Sequence, residues 1–205
     1  MKEGNSDTMD VEHIAVLGMT GTGKTYFIKD LIRRAKSKGK KIVILDLERD
    51  YHDVGAFTLK DWRNIGVYKD KKQVLRILTE DYEDGQVQDK IYNYIFRNMR
   101  NWIVVIDEVH NQGGHQSKLS SSLKKLITRG RKRGLKLIVA SQRPSLIDKT
   151  ILSNCAVLVL KKVGWDTDWS VYRAVNKEVC DLLKNSTNKY ATVILRYGTI
   201  WKKML

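Results

Sequence analysis

Eight residues near the N-terminus have the types and the spacing needed to bind a phosphate group. The segment Gly18-Met19-Thr20-Gly21-Thr22-Gly23-Lys24-Thr25 fits the pattern G-x-x-x-x-G-K-[ST]. Its glycines allow the backbone to curl so that several N–H groups point inward at an anion. In this pattern Lys24 reaches the β- and γ-phosphates of a nucleoside triphosphate, and the Thr25 hydroxyl ligates Mg²⁺. The residues predicted to bind nucleotide are Gly18, Met19, Thr20, Gly21, Thr22, Gly23, Lys24, Thr25 and Tyr26.

A chance glycine turn is the alternative to this interpretation, and the flanking segments favour the phosphate site. The motif should follow a buried strand and open a helix. The preceding residues 13–17 form a short apolar run that is typical of a strand. After the motif, apolar residues recur at helical spacing: Phe27, Ile28, Leu31, Ile32 and Ala35. We expect this helix to begin at Lys24, where its N-terminal dipole adds positive potential.

A second motif places two carboxylates directly after an apolar strand. Residues 103–106 are all apolar, and Asp107 and Glu108 follow them. Ligands of α/β proteins bind at the carboxyl ends of the strands, so both side chains should face the nucleotide. Asp107 suits the outer shell of Mg²⁺, and Glu108 can orient and deprotonate an attacking water. A glutamate beside the metal aspartate favours hydrolysis over phosphate transfer to a small molecule.

A third polar side chain follows another apolar strand. Residues 135–140 are predicted to form that strand, and Gln142 lies just beyond it. An amide at this point can hydrogen-bond the γ-phosphate or the lytic water and so report the nucleotide state. A surface turn ended by Pro144, the only proline, is the alternative that this segment alone leaves open.

The elements that must position these residues alternate between strand and helix, which predicts an α/β fold with a mainly parallel central sheet flanked by helices. Further strands are predicted at 41–46, 65–68, 102–106 and 156–160, and a C-terminal β-hairpin at 190–196 and 199–203. Helices are predicted around 74–78, 91–99 and 119–127, and one long helix over 169–182, with Gly39 ending the first helix. Polar loops are expected at 80–86 and 111–117. We expect a flexible tail at 1–11 and a single domain at 12–205.

Composition limits the class of protein. No apolar run approaches the ~20 residues of a membrane span, and the polar, acidic N-terminus is not typical of a signal peptide. Cys155 and Cys180 lack metal spacing and are expected to be buried thiols in a reducing compartment. His110 and His115 flank the 111–117 loop, have no metal-binding partners at the right spacing, and are not expected to bind zinc. We interpret that loop as facing a pore.

The formal net charge of +15 favours a polyanionic partner. No acidic residue occurs between Glu108 and Asp148, whereas basic residues are frequent there. Five of these are predicted to bind DNA: Lys118, Lys124, Lys125, Lys132 and Arg133. A second basic run at 33–41 has a solvated helix face as its alternative explanation.

Together, in this order, the P-loop, the apolar strand ending in Asp-Glu and the strand ending in Ser141-Gln142-Arg143-Pro144 resemble the HerA/FtsK superfamily of DNA-pumping ATPases. Residues 46–51 resemble that family's D-P-x-x-E-Y segment imperfectly, since Leu47 replaces the proline. The resemblance covers roughly residues 12–162. It implies a RecA-like P-loop NTPase fold of the ASCE type, ATP and Mg²⁺ as cofactors, a sensor role for Gln142, and a ring, usually hexameric, around double-stranded DNA.

Ring motors of this kind complete each ATP site with an arginine from the neighbouring subunit. The resemblance favours Arg131 or Arg129, which lie just before the sensor strand; Arg133 and Arg143 are further candidates. Most such arginines are expected to contact DNA phosphate or solvent instead.

The resemblance is most marked to the genome-packaging ATPases of tailless, membrane-containing icosahedral viruses of archaea, because the chain has room for little beyond a bare motor. It implies an ATP-driven DNA translocase packaging a viral genome, with capsid or membrane-vertex proteins as partners, in the host cytoplasm or the virion. The alternatives are a cellular or plasmid translocase or helicase of the same superfamily, and a nucleotide-switched DNA-binding assembly protein.

Overall fold

The structure is a computed structural model that describes residues 12–78 and 85–205, so the predicted tail at 1–11 and most of the predicted loop at 80–86 lie outside the described residues. The strands are β1 His13–Leu17, β2 Lys41–Leu45, β3 Phe57–Leu59, β4 Val74–Ile77, β5 Trp102–Ile106, β6 Gly114–His115, β7 Lys118–Leu119, β8 Lys136–Ser141, β9 Cys155–Lys161, β10 Thr192–Arg196 and β11 Thr199–Met204. The helices are α1 Lys24–Ser37, α2 Ile65–Tyr68, α3 Gly85–Asn98, α4 Ser121–Arg129, α5 Lys149–Asn154, α6 Asp166–Val175 and α7 Lys177–Asn185.

Nine strands form one sheet in the order β11-β10-β9-β1-β8-β5-β2-β4-β3. The neighbours from β9 to β3 pair in parallel, and β10 and β11 pair antiparallel. Strand β8 is inserted between β1 and β5, with Leu17 opposite Ser141 and Ile106 opposite Val139. The phosphate motif, Gln142 and the Asp107-Glu108 pair therefore emerge side by side at one edge of the sheet, as predicted for an α/β protein.

The strands are buried because helices cover both faces of the sheet. On one face α1 packs through Ile28 and Ile32, with Tyr51 and Val54 completing that half of the core. On the other face α3, α4, α6 and α7 contribute the larger cluster, which includes Tyr92 and Tyr172. Strands buried on both faces are continuous in their hydrophobicity rather than alternating, which explains why β1, β2, β5, β8 and β9 were recognisable as apolar runs.

Three predicted elements were wrong. The run Val74, Leu75, Ile77, Leu78 has helical spacing, but residues 74–77 form β4, because β2 and β3 pair on its two sides. Residues 65–68 form one turn of helix rather than a strand, since they continue a 3₁₀ turn that the Asp61 side chain caps. The long helix at 169–182 is two helices, because Asn176 adopts an extended conformation between α6 and α7.

The C-terminal hairpin is present, and its two strands extend the sheet beyond β9. Strand β3 was not predicted; its three residues carry too little pattern. Cys155 and Cys180 are buried free thiols, and burial raises the pKa of Cys155 to about 12.

Candidate nucleotide site

A cleft of about 520 Å³ opens at the carboxyl edge of the parallel strands, beside the start of α1. Its lining consists of Thr20, Gly21, Gly23, Lys24, Thr25, Glu48, Asp50, Asp107, Glu108, Gln142 and Tyr190. The three motifs singled out in the sequence thus share one cleft. Glu48, Asp50 and Tyr190 were not assigned to it, although Glu48 and Asp50 belong to the segment 46–51 that resembles D-P-x-x-E-Y.

The backbone at 18–23 has the form expected of an anion nest. Gly18, Gly21 and Gly23 all have positive φ angles, a conformation that L side chains rarely adopt. A methyl group on Gly18 would lie 2.6 Å from the Lys161 Cβ, so only glycine fits there. The Thr22 hydroxyl donates to the Met19 carbonyl at 2.7 Å and closes the loop internally. Helix α1 begins at Lys24, so its unpaired N–H groups face the cleft.

The Lys24 side chain is buried in the cleft wall. Its ammonium donates to the Met19 carbonyl at 3.4 Å and lies 4.0 Å from a Glu108 carboxylate oxygen. Burial lowers the pKa of Lys24, while the negative charges of Glu108, Asp107 and Asp50 oppose that shift. The Lys24 side chain thus lines the cleft next to the glycine loop, at the place where a phosphate would bind.

Both carboxylates after β5 are buried as well. Burial raises the pKa of Asp107, against hydrogen bonds from the Tyr51 hydroxyl and the Glu108 N–H. Burial also raises the pKa of Glu108, which brings that group closer to the range of a general base. Glu108 has φ of 43°, in the left-handed region that is sparsely populated by residues other than glycine. Its side chain lies beside Lys24 and the Gln142 N–H.

A buried chain of hydrogen bonds holds Asp107. The Tyr51 hydroxyl donates to an Asp107 oxygen at 2.9 Å, and Tyr51 is fully buried. The Tyr51 N–H donates to Asp46 at 3.0 Å, and Asp46 also pairs with Arg76 at 2.5 Å. Tyr51 and Asp46 belong to the segment that resembled D-P-x-x-E-Y, whereas Arg76 was missed because its strand was predicted to be a helix.

Gln142 connects the P-loop to the acidic pair. Its backbone N–H donates to the Glu108 carboxylate at 3.0 Å. Its side-chain oxygen accepts a hydrogen bond from the Thr20 hydroxyl. Gln142 thus contacts the P-loop through its side chain and Glu108 through its backbone, and its sensor role stays a prediction.

His110 is a buried neighbour of Glu108 rather than part of an exposed loop. It is buried, and its Nδ1 lies 2.8 Å from the Ser141 hydroxyl and 3.4 Å from Glu108. Burial lowers the pKa of His110 to about 4, so the ring is neutral at physiological pH. In the sequence this histidine was recognisable only as a residue that flanks the 111–117 loop.

The four candidate arginines differ in their surroundings. Arg143 pairs with the buried Asp168 at 3.2 Å and stacks over Trp165. Arg133 donates to the Arg97 carbonyl at 2.7 Å. Arg129 and Arg131 have exposed side chains. Both precede β8, so they lie at the amino edge of the sheet, opposite the cleft of their own subunit.

The residues predicted to bind DNA follow α4 from one sheet edge to the other. Lys124 and Lys125 are exposed on the helix, with Lys118 exposed before it and Lys132 exposed after it. Arg133 is half-buried and lies over the Phe96 ring, so its guanidinium has contacts within the subunit.

Much of the second basic run has acidic or carbonyl partners. Arg33 pairs with Asp53 at 2.9 Å, Arg34 pairs with Asp30, and Lys36 donates to the Gly55 carbonyl. These contacts favour the solvated-face explanation for 33–41.

Mg²⁺ is the metal that this kind of site implies. The Thr25 hydroxyl and the Asp107 carboxylate line the same cleft and are oxygen donors of the type Mg²⁺ prefers. In residues 12–78 and 85–205 no three His, Cys, Asp or Glu side chains are grouped to hold a metal. A Mg²⁺ ion that takes its other ligands from phosphates and water needs no such group. In the same part of the chain, no helix is long and apolar enough to cross a membrane.

The sheet order, the nest before α1 and the acidic pair after β5 define a RecA-like P-loop ATPase. Residues 6–153 match the family described as "Helicase HerA, central domain". The chain therefore belongs to the HerA central-domain family, within the HerA/FtsK superfamily, and is an ATPase.

One similar sequence and two solved structures of the same fold match the chain over most of its length. Protein P9 of Pseudoalteromonas phage PM2 is 29% identical over 155 residues, which cover 75% of this chain and 69% of that protein. The genome packaging NTPase B204 from Sulfolobus turreted icosahedral virus 2, in complex with AMPPCP, has the same fold with a TM-score of 0.77 at 16% identity, covering 95% of this chain and 97% of that chain. VirB4 of Thermoanaerobacter pseudethanolicus matches with a TM-score of 0.68 at 13% identity, covering 94% and 88% of the two chains.

Proposed function

We propose that this protein hydrolyses ATP to translocate double-stranded DNA and that it packages a viral genome. The observation that carries the proposal is the cleft in which Lys24, Glu108 and Gln142 meet. The family membership and the similarity to a phage protein and to a packaging NTPase support the viral setting.

The side chains divide the chemistry among them. The nest and Lys24 bind the polyphosphate, and Thr25 with Asp107 would hold Mg²⁺, which neutralises phosphate charge when bound. Glu108 takes a proton from the attacking water, because its buried carboxylate faces the space beside Lys24. Gln142 contacts Thr20 of the P-loop and Glu108 at once, so a change at the γ-phosphate would move the sensor strand.

DNA binding is assigned to the exposed lysines along α4. The helix joins the region beyond β5 to β8, the strand that ends in Gln142. A movement of Gln142 that follows a change of bound nucleotide can therefore be transmitted along β8 to the lysines of α4, which would contact the DNA phosphates. These contacts are sequence-independent, as a packaging motor requires.

The alternative of a nucleotide-switched assembly protein is less well supported. A switch needs the phosphate nest but has no need of a buried carboxylate held beside Lys24. Membership of the HerA central-domain family keeps a cellular or plasmid translocase or helicase as the second candidate.

The test is ATP hydrolysis measured with and without linear double-stranded DNA, together with displacement of a triplex-forming third strand. We expect DNA to stimulate hydrolysis and the third strand to be displaced while the duplex stays intact. Lys24→Ala should abolish both activities while the protein still unfolds cooperatively, because Lys24 lines the cleft and is not part of the hydrophobic core.

Separation of the duplex strands would identify a helicase instead. Hydrolysis that DNA does not stimulate would favour the switch protein, and near-normal turnover of Lys24→Ala would refute the assignment of the P-loop.

A further inference from the structure

A second buried lysine lies beneath the P-loop. Lys161 is the last residue of β9, next to the P-loop strand β1 in the sheet, and only 5% of its surface is exposed. Its Cβ approaches Gly18, at the start of the P-loop. Its ammonium lies 3.9 Å from where a methyl group on Gly23, at the other end, would stand. The side chain thus runs under the loop from the first glycine to the last.

The charge of Lys161 has no anionic partner among the residues that the structure describes. Its ammonium donates to the Thr192 hydroxyl at 2.8 Å and lies 5.9 Å from the centre of the Phe27 ring. Burial lowers the pKa of Lys161, and the nearby positive charge of Lys24 lowers it further, with no carboxylate opposing the shift. Lys24, by contrast, faces Glu108, Asp107 and Asp50.

A buried ammonium without a counter-ion destabilises a protein unless an anion arrives to compensate it. Here the neighbouring groups are backbone N–H donors of the nest and the N-terminus of α1, which also favour negative charge. All of them act on the same small volume, so the compensating anion is the polyphosphate of the nucleotide.

We propose that Lys161 is a second phosphate-binding cation, which acts from beneath the P-loop and makes nucleotide affinity depend on the number of phosphates. This inference rests on the proposed nucleotide site but not on DNA translocation. Lys161, at the end of β9, lies outside all three sequence motifs, so these motifs did not indicate that it binds phosphate.

The experiment compares Lys161→Met with the unmodified protein in titrations with AMP, ADP and a non-hydrolysable ATP analogue. Methionine keeps the unbranched shape and removes the charge. We expect at least about tenfold weaker binding of ADP and of the ATP analogue, as for removal of one partly buried charge interaction, and a smaller change for AMP. Without nucleotide, the thermal unfolding midpoint should stay equal or rise, because an uncompensated charge has been removed.

Two further variants separate charge from packing. Lys161→Arg keeps the charge and should retain most of the phosphate dependence. Lys136→Met removes a buried lysine at the opposite edge of the sheet and should leave the affinity series unchanged.

Equal losses of affinity for all three nucleotides, a lower unfolding midpoint without nucleotide, or failure of Lys161→Met to fold would each show a packing role and overturn the proposal. If the unmodified protein shows no phosphate-dependent binding, the nucleotide site itself is refuted. If the unmodified protein binds nucleotide but its ATP hydrolysis is not stimulated by DNA, only the translocase function is refuted.

Discussion

At the scale of single residues, Asp107 and Glu108 are adjacent in sequence but are held in different ways. Asp107 is fixed by Tyr51 and by the Glu108 N–H, whereas the Glu108 side chain bridges towards Lys24 and the Gln142 N–H. The left-handed backbone at Glu108 separates the two side chains. This separation gives a physical reason for assigning the metal to one carboxylate and the water to the other.

The division of roles can be tested with isosteric amides. Glu108→Gln should still bind ATP with Mg²⁺ but hydrolyse it at least ~10²-fold more slowly, because only the base is removed. Asp107→Asn should instead weaken the Mg²⁺-dependent part of ATP binding. Titration at several Mg²⁺ concentrations and single-turnover rates would distinguish them. Identical behaviour of the two variants would show that the assignment is wrong.

At the scale of elements, a buried histidine ties one helix and two strands together. The ring of His13 in β1 lies 2.9 Å from the Ile127 carbonyl near the end of α4 and accepts from the Leu137 N–H of β8 at 3.0 Å. Burial is the main cause that lowers the pKa of His13, to about 4. The folded state therefore holds this ring neutral between pH 4 and pH 6.5, where the unfolded chain takes up a proton.

Stability should consequently fall as the pH falls from 6.5 towards 4. In that window His13 lowers the free energy of unfolding by up to about 1.4 kcal/mol for each unit by which the pH falls, because one proton binds only to the unfolded state. The lowered pKa of His110 acts in the same direction, and the raised pKa values of Asp107 and Glu108 act in the opposite direction, so the informative quantity is a difference. His13→Gln should show a slope that is smaller by about one proton in urea unfolding from about pH 7 to about pH 4.5. Parallel slopes for the two proteins would contradict the lowered pKa.

The exposed lysines on and after α4 lead to a prediction about the salt dependence of DNA binding. Replacing Lys124, Lys125 and Lys132 by glutamine should flatten the dependence of DNA affinity on salt, by about 0.9 in the log–log slope for each phosphate that is no longer neutralised. All DNA sequences should be affected alike. The control removes the same charge outside both basic runs, at Lys60, Lys71 and Lys202, which are exposed. If both triple variants change the slope equally, α4 is not the DNA surface.

At the scale of the whole molecule, the positions of Arg129 and Arg131 are the main argument for a ring. They lie at the sheet edge opposite their own cleft, so they can complete only the cleft of a neighbouring subunit. Arg133 and Arg143 have partners within the subunit and are weaker candidates. A head-to-tail arrangement of this kind closes into a ring when the rotation permits.

Hydrolysis per subunit should therefore rise with protein concentration as subunits assemble. Arg131→Ala or Arg129→Ala should lower turnover by about 10³-fold or more, as for removal of an arginine finger, while ATP still binds. Arg100→Ala, which removes an exposed arginine just before β5 that has no proposed role, serves as the control. Mixing the arginine variant with Lys24→Ala should restore part of the activity, because some interfaces then contain an intact P-loop and an intact arginine. A rate per subunit that is constant far into the monomeric range would refute the shared site.

Residues whose chemistry depends on local spacing could be identified before the fold was known. The P-loop nest needs only consecutive backbone units, and the apolar strands that precede Asp107 and Gln142 are buried on both faces, so both signals are complete within short segments. The parallel α/β fold followed from the same strands. The DNA surface, the trans arginine and the division of roles within the acidic pair stay predictions.

Which residues from distant segments lie in or beside the cleft depended on long-range packing. Lys161, Tyr190 and Arg76 are ordinary residues in sequence, and their positions follow from the pairing of β9 with β1, of β10 with β9 and of β4 with β2. The pairing of β4 with β2 and β3 also explains why residues 74–77 form a strand although their apolar residues have helical spacing. Burial, which shifts the pKa values of Glu108 and His110, likewise arises only when the sheet and its helices are assembled. Long-range packing therefore decided what local pattern could not.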